Sequence, residues 1–212
     1  MEQCTCIALL DMLYARGIEF RIVAIDPTES RRKKVEAIYT RISDSYAVPR
    51  SGHLEVSDIE ASKDIVTNWT QGIGCHSVLE VSTRSSRVES PWPPRLMLTT
   101  QAVGNTGALT LAYELVRPFG CITSVGVHAR YQVPYTGQQL YHKNVSLDFG
   151  RCPVRAMFPM ALDLLLRRQE IFGEVGGDTS LVEKVVGFDV AAQTYDDFDK
   201  GKCGKVLFDP WR

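Results

Sequence analysis

HSVLE at 76–80, then VSTRSSRVESPWPPRLMLTTQ at 81–101, then AVGN at 102–105, is the stretch that decides the fold. With 81–101 taken out, the flanks join as HSVLEAVGNTGAL, an apolar strand, a glycine turn and the start of a helix. The intervening segment holds four Ser, three Arg and three Pro and has no consistent hydrophobic period, so it reads as a loop. Its flanks form one strand-to-turn corner, interrupted.

Outward from that corner, apolar residues at 7, 9, 10, 13 and 14 make a helical stripe that Gly17 ends. The chain opens on this helix, with no strand ahead of it. FRIVAI (20–25) is a short strand of β-branched and aromatic residues closed by Asp26, and Pro27 opens a helix through Arg41. The surroundings of Tyr46 to Pro49 carry no clear pattern. Ser57, with Glu60 three residues on, predicts a capped helix over 58–70. Cys75–Glu80 is a strand, Thr106 caps a helix to Val116, and Cys121–Val127 and Lys143–Phe149 are strands. A long amphipathic helix over 154–172 with Pro159 in its first half, a helix over 190–199 and a strand over 205–208 follow. Strands alternating with helices of about 10–20 residues predict an α/β fold, its parallel βαβ units forming a doubly wound sheet. IVAI, SVLE and CITSVGV have the compact apolar character of strands buried on both faces.

The composition excludes several classes. At 212 residues, 44% hydrophobic and 23% charged, the chain is long enough and apolar enough for a globular core. A formal net charge of −1 without a basic stripe disfavours nucleic acid and acidic membranes as partners. No apolar run has the length to span a bilayer. Cys6–Leu10 has no basic residue ahead of it and Asp11 behind it, which is not a signal peptide, so a cytoplasmic location is expected. The six cysteines form no C-x-x-C pair and read as reduced thiols filling the core. No histidine stands at H-E-x-x-H spacing, and adjacent Cys75 and His76 would point to opposite faces of a strand. Neither a metal-ligand set nor a catalytic set is legible.

Asp26 is the strongest single candidate. An acidic residue closing a strand after a first helix is where dinucleotide-binding folds place the carboxylate that accepts from the adenosine ribose. The alternative is an ordinary helix N-cap ahead of Pro27. Arg31 and Arg32 stand within two turns and can reach the same ribose; the alternative is a solvated helix face. The acid disfavours a 2′-phosphate, so NAD is preferred over NADP. The G-x-G-x-x-G fingerprint is absent from the sequence, and with it the close backbone approach to a pyrophosphate.

VLE (78–80) running into AVGN (102–105), LAYELVRPFGCITSVGVH (111–128), LYHKNVSLDFGRCPVR (140–155) and FDKGKCGKVLFDP (198–210) together resemble the C-terminal, cofactor-domain half of the zinc-type medium-chain alcohol dehydrogenases. The segments match in order and spacing over nearly the whole chain outside 81–101. The resemblance implies an incomplete Rossmann-like sheet lacking its first strand, with residues 1–149 as a partial NAD-binding domain and 150–212 as the segment that returns to a catalytic domain. It implies that Asp26 and Arg31 hold the adenosine ribose and that Val103, Gly104 and Asn105 line the adenosine side. Val125, Gly126 and Val127 would lie beside the nicotinamide, with Phe149 and Gly150 on its other flank. Arg151 and Arg155 are both placed to approach the phosphates. NAD is the implied cofactor and a small alcohol or aldehyde the implied substrate. Zinc is expected in the complete family, but its ligands, in the preceding catalytic domain, are not in this chain. An N-terminally truncated chain inactive by itself is expected; the rival is a non-catalytic, nucleotide-binding or dimerising remnant, pairing through the strand at 121–127. Val81-Ser82 can be encoded by an intron donor and Leu98–Gln101 by a branch sequence and acceptor, so 81–101 reads as a retained intron.

Overall fold

The computed structural model describes residues 2–46, 52–81, 106–126, 133–151, 153–200 and 202–212. Most of the interrupting segment, together with Val103, Gly104, Asn105 and Val127, lies outside the described residues. In chain order the elements are α1 (Glu2–Ala15), β1 (Phe20–Ile25), α2 (Glu29–Ser45), β2 (Gly52–Ser57), α3 (Ile59–Thr70), β3 (Cys75–Glu80), α4 (Thr106–Leu115) and β4 (Val116–Ser124). Then come α5 (Gly137–Lys143), β5 (Ser146–Phe149), α6 (Val154–Arg167), α7 (Gln169–Phe172), β6 (Lys184–Val186), α8 (Ala191–Asp199) and β7 (Val206–Phe208). The chain is α/β, and every strand pair is parallel. It divides into two compact units, Gln3–Asp58 with Arg155–Arg212, and Ile59–Val154.

In the first unit β1 and β2 pair from Phe20↔Gly52 to Ile25↔Ser57. A Cβ on Gly52 would stand 2.5 Å from the Phe20 ring, so only glycine allows this approach. Ile7, Leu10 and Tyr14 recur at helical spacing on α1, and Val35, Ile38 and Ile42 on α2; both stripes bury against Phe20, Leu54 and Ile171. Asp11 stands in the same face, 2% exposed. A buried carboxylate is tolerated only when paired. Here Arg168 Nε donates to it at 2.6 Å, Tyr46 Oη at 3.0 Å and Arg167 at 3.3 Å. The Arg168 guanidinium also lies 4.9 Å from the centre of the Tyr46 ring. β6 and β7 form a separate two-stranded sheet, with Phe188 and Tyr195 stacked on Phe208.

In the second unit the sheet order is β3-β4-β5. Leu109 and Ala112 of α4, Val116 and Ile122 of β4, and Tyr135 make its core. Helix α4 runs directly into β4 at Val116, which pairs with Cys75; the register then jumps to Ser77↔Cys121. The residues between bulge outward, with Phe119 at φ 58. Lys143 Nζ closes the end of α4, donating to the carbonyls of Tyr113 at 2.6 Å and Val116 at 2.9 Å. Burial lowers the Lys143 pKa.

Numbered as strands 2 to 6 of the order 3-2-1-4-5-6, β1–β5 keep every neighbour that order gives them except those of the first strand. Among the described residues β1 and β3 each pair on one side only, and neither is buried on both faces as expected: His76, Ser77 and Leu79 of β3 are exposed. Other expectations also shift. Strand β2 falls in the stretch without a clear pattern. Ser57 ends β2, its hydroxyl donating to the Asp58 carbonyl at 3.0 Å, so it does not cap α3. The helix expected over 154–172 breaks at Arg168, whose φ of −113 is not helical. The strand predicted from Lys143 starts at Ser146, because α5 occupies 137–143. Cys121–Ser124 is flanked on both sides, so it cannot pair across a dimer; in this sheet β5 has the outer edge on that side. The four described cysteine side chains, Cys6, Cys75, Cys121 and Cys203, are part-buried, and of these Cys6 packs against the core of the first unit.

Candidate functional site

In open parallel sheets ligands bind beyond the carboxyl ends of the strands. Two such ends carry the candidates. In the first unit β1 ends at Ile25, and Asp26 follows, 5% exposed, its N–H donating to the Ser57 carbonyl at 3.1 Å. Asp26 Oδ1 accepts the Thr28 N–H at 2.7 Å, which turns the chain into α2. The N-cap position itself belongs to Thr28. Arg31 approaches Asp26 Oδ2 at 3.6 Å, and Arg32 donates to the Asp26 carbonyl at 2.8 Å. Both arginines therefore fold back on the strand end, and Asp26 with Arg31 forms the pair the sequence named. A buried carboxylate at a strand end beside a guanidinium fits a diol, which donates to the acid.

In the second unit β3, β4 and β5 end in one row, Glu80 opposite Ser124 and Ser124 opposite Phe149. Val125, Gly126, Phe149 and Gly150 stand on or just past this row, with Val125 and Phe149 exposed. A Cβ on Gly150 would meet nothing within 4 Å. The Val125 N–H donates to the Glu80 carbonyl at 3.0 Å. The row also contains residues not foreseen. Glu80 is 4% and Ser124 1% exposed, and Ser124 Oγ donates to Glu80 Oε2 at 2.6 Å. The one signal for Glu80 was an acid closing an otherwise apolar strand. Nearby Tyr135 donates to the Leu109 carbonyl at 2.6 Å, and burial, then the Glu80 charge, pushes its phenol up to about 12.

Arg151 and Arg155 are both exposed, and the structure does not choose between them. Among the described residues no three His, Cys, Asp or Glu side chains gather as a metal site. Nor, among them, is any helix long and apolar enough to cross a membrane. A cleft of about 420 Å³, lined by Lys63, Val66, Thr70, Ile73, Glu114 and Lys143, lies at the amino ends of β3 and β4, away from the row.

No family profile matches the chain. Over 108 residues, 51% of the chain, it is 37% identical to zinc-type alcohol dehydrogenase B of Aspergillus flavus, and the match spans 24% of that protein. Its fold is that of solved alcohol dehydrogenases. An alcohol dehydrogenase of Thermotoga maritima aligns over 95% of the chain and 46% of its own length, with a TM-score of 0.62 at 17% identity. For an alcohol dehydrogenase of Thermus sp. ATN1 the figures are 97%, 55%, 0.57 and 17%. For the 2R,3R-butanediol dehydrogenase of Bacillus subtilis they are 96%, 47%, 0.59 and 16%. The chain thus resembles zinc-type alcohol dehydrogenases in sequence and alcohol dehydrogenases in fold, and spans about half the length of the solved ones.

Proposed function

We propose that the chain carries cofactor-binding residues of a zinc-type, NAD-dependent alcohol dehydrogenase, an oxidoreductase acting on a small alcohol or aldehyde. The 37% identity over 108 residues to an alcohol dehydrogenase carries this reading. Bound NAD supplies the hydride acceptor. Asp26 accepts the adenosine ribose hydroxyls, and Arg31 holds the carboxylate toward them. Its negative charge opposes a 2′-phosphate, which selects NAD over NADP. Val103, Gly104 and Asn105 line the adenosine side. The Val125 carbonyl, with Gly126 and Val127, receives the carboxamide, and Phe149 and Gly150 shield the nicotinamide from water.

The residues shared with the family are cofactor-side residues, so the chain by itself binds NADH without turning it over. Residues 1–149 act as a partial NAD-binding domain. Residues 150–212 serve as the segment that meets a catalytic domain: among the described residues, 14 of the 24 exposed large hydrophobic side chains lie from Val154 onward, far more than a solvated tail needs. In this reading 81–101 is a retained intron, which transcript sequencing tests: a spliced message supports it, and only unspliced message refutes it.

The functional test is NADH fluorescence titration of the purified chain, alongside thermal melting. Saturable binding with a raised Tm is expected. A flat titration with a cooperative melt would overturn the reading.

A further inference from the structure

We propose that Glu80 is a positioning residue for the nicotinamide half of the cofactor, acting through the Ser124 hydroxyl and the Val125 backbone. The inference rests on the functional reading above. Glu80 is a carboxylate buried to 4% exposure at the carboxyl end of β3, where an acid is costly unless it is used. It holds the end of β4 twice. Its Oε2 accepts from Ser124 Oγ at 2.6 Å, and its own carbonyl accepts the Val125 N–H at 3.0 Å. Ser124 pairs in turn with Phe149 through the strand register, so the carboxylate braces the middle strand of the row from which Val125, Gly126, Phe149 and Gly150 emerge.

The Val125 N–H bond to the Glu80 carbonyl fixes the Ser124–Val125 peptide, and the Ser124 hydroxyl bond to the carboxylate holds the same end of β4, from which Val125 and Gly126 emerge. Glu80 does not touch the ligand in this scheme. It fixes the backbone that does. The contribution falls on the nicotinamide end alone, because the Asp26 carboxylate belongs to a different strand end.

The test compares NADH with ADP-ribose, which lacks the nicotinamide, on the full chain and three variants. Ser124→Ala removes the hydroxyl with the least change in volume. It should weaken NADH by about fivefold or more, the effect of one buried hydrogen bond, and leave ADP-ribose within about twofold. Glu80→Ala should do the same or more. Glu80→Gln, whose amide oxygen still accepts from Ser124, should keep most of the NADH affinity. If Ser124→Ala weakens both ligands equally, or neither, the positioning role is wrong, although the cofactor reading survives. If the unaltered chain binds ADP-ribose and NADH equally, the nicotinamide has no site here and the inference falls. If it binds neither, the functional reading falls and takes the inference with it.

Discussion

Replacing Asp26 by Asn separates the two duties of that carboxylate. Its Oδ1 accepts the Thr28 N–H at 2.7 Å, and an amide oxygen can take the same bond. The Arg31 contact is longer, 3.6 Å, and the Arg31 side chain is 40% exposed. Losing that attraction costs about 0–1 kcal/mol once solvent screening is counted. For a chain of this size that is a Tm change of at most about 2–4 °C. The ligand side differs. Hydrogen bonds from ribose hydroxyls to a charged acceptor are worth about 1.5–3 kcal/mol, against about 0.5–1.5 for a neutral one. The Asn variant should therefore bind NADH about tenfold more weakly. It should also lose its discrimination against NADPH, since the charge opposing the 2′-phosphate is gone. Calorimetric titration with both nucleotides, beside circular-dichroism melts, measures each effect. A variant that melts like the parent and binds NADH just as tightly would refute the assignment of Asp26 to the ribose.

Three further outcomes test the packing that holds the two strand ends. Asp11→Ala removes the buried carboxylate of Arg168, only 12% exposed at its side chain, leaves it the half-exposed Glu170 alone, and should lower stability by up to about 3–5 kcal/mol in urea unfolding. Tyr135 has its folded-state pKa at about 12, above the unfolded value of about 10, so it contributes stability below pH 10 that is lost as pH rises toward 12. The loss should be about 2–3 kcal/mol in alkaline unfolding of the parent and absent from Tyr135→Phe. Gly74 has φ +98, and a Cβ there would lie 2.8 Å from the Leu115 carbonyl oxygen. Gly74→Ala should destabilise the chain by about 1–3 kcal/mol, read as a lowered Tm.

The strands at 20–25 and 75–80 were legible to the residue, the first from its β-branched and aromatic run closed by Asp26, the second from a short segment that Gly72 and Gly74 set off from the helix before it. β2 was not. His53 and Glu55 interrupt Gly52–Ser57, and only its register against β1 makes it a strand. α5 had a local signal that went unread: Thr136 and Gln139 form a reciprocal capping box. The break at Arg168 was invisible because it serves a tertiary bond, the approach of Arg168 to buried Asp11. The same limit applies to the candidate site. Asp26 was named from its place closing a strand, and the structure buries it there. The partnership of Glu80 with Ser124 joins residues 44 apart and needs the β3–β4 register to be seen.

The most direct measurement is an amide chemical-shift map of the isotope-labelled chain titrated with NADH. Saturable shifts at Asp26 and Thr28, and at Val125, Gly126, Phe149 and Gly150, are the predicted result. Shifts confined to Lys63, Thr70 and Ile73 around the cleft at the amino ends of the strands, or no shifts in a folded chain, would contradict the account.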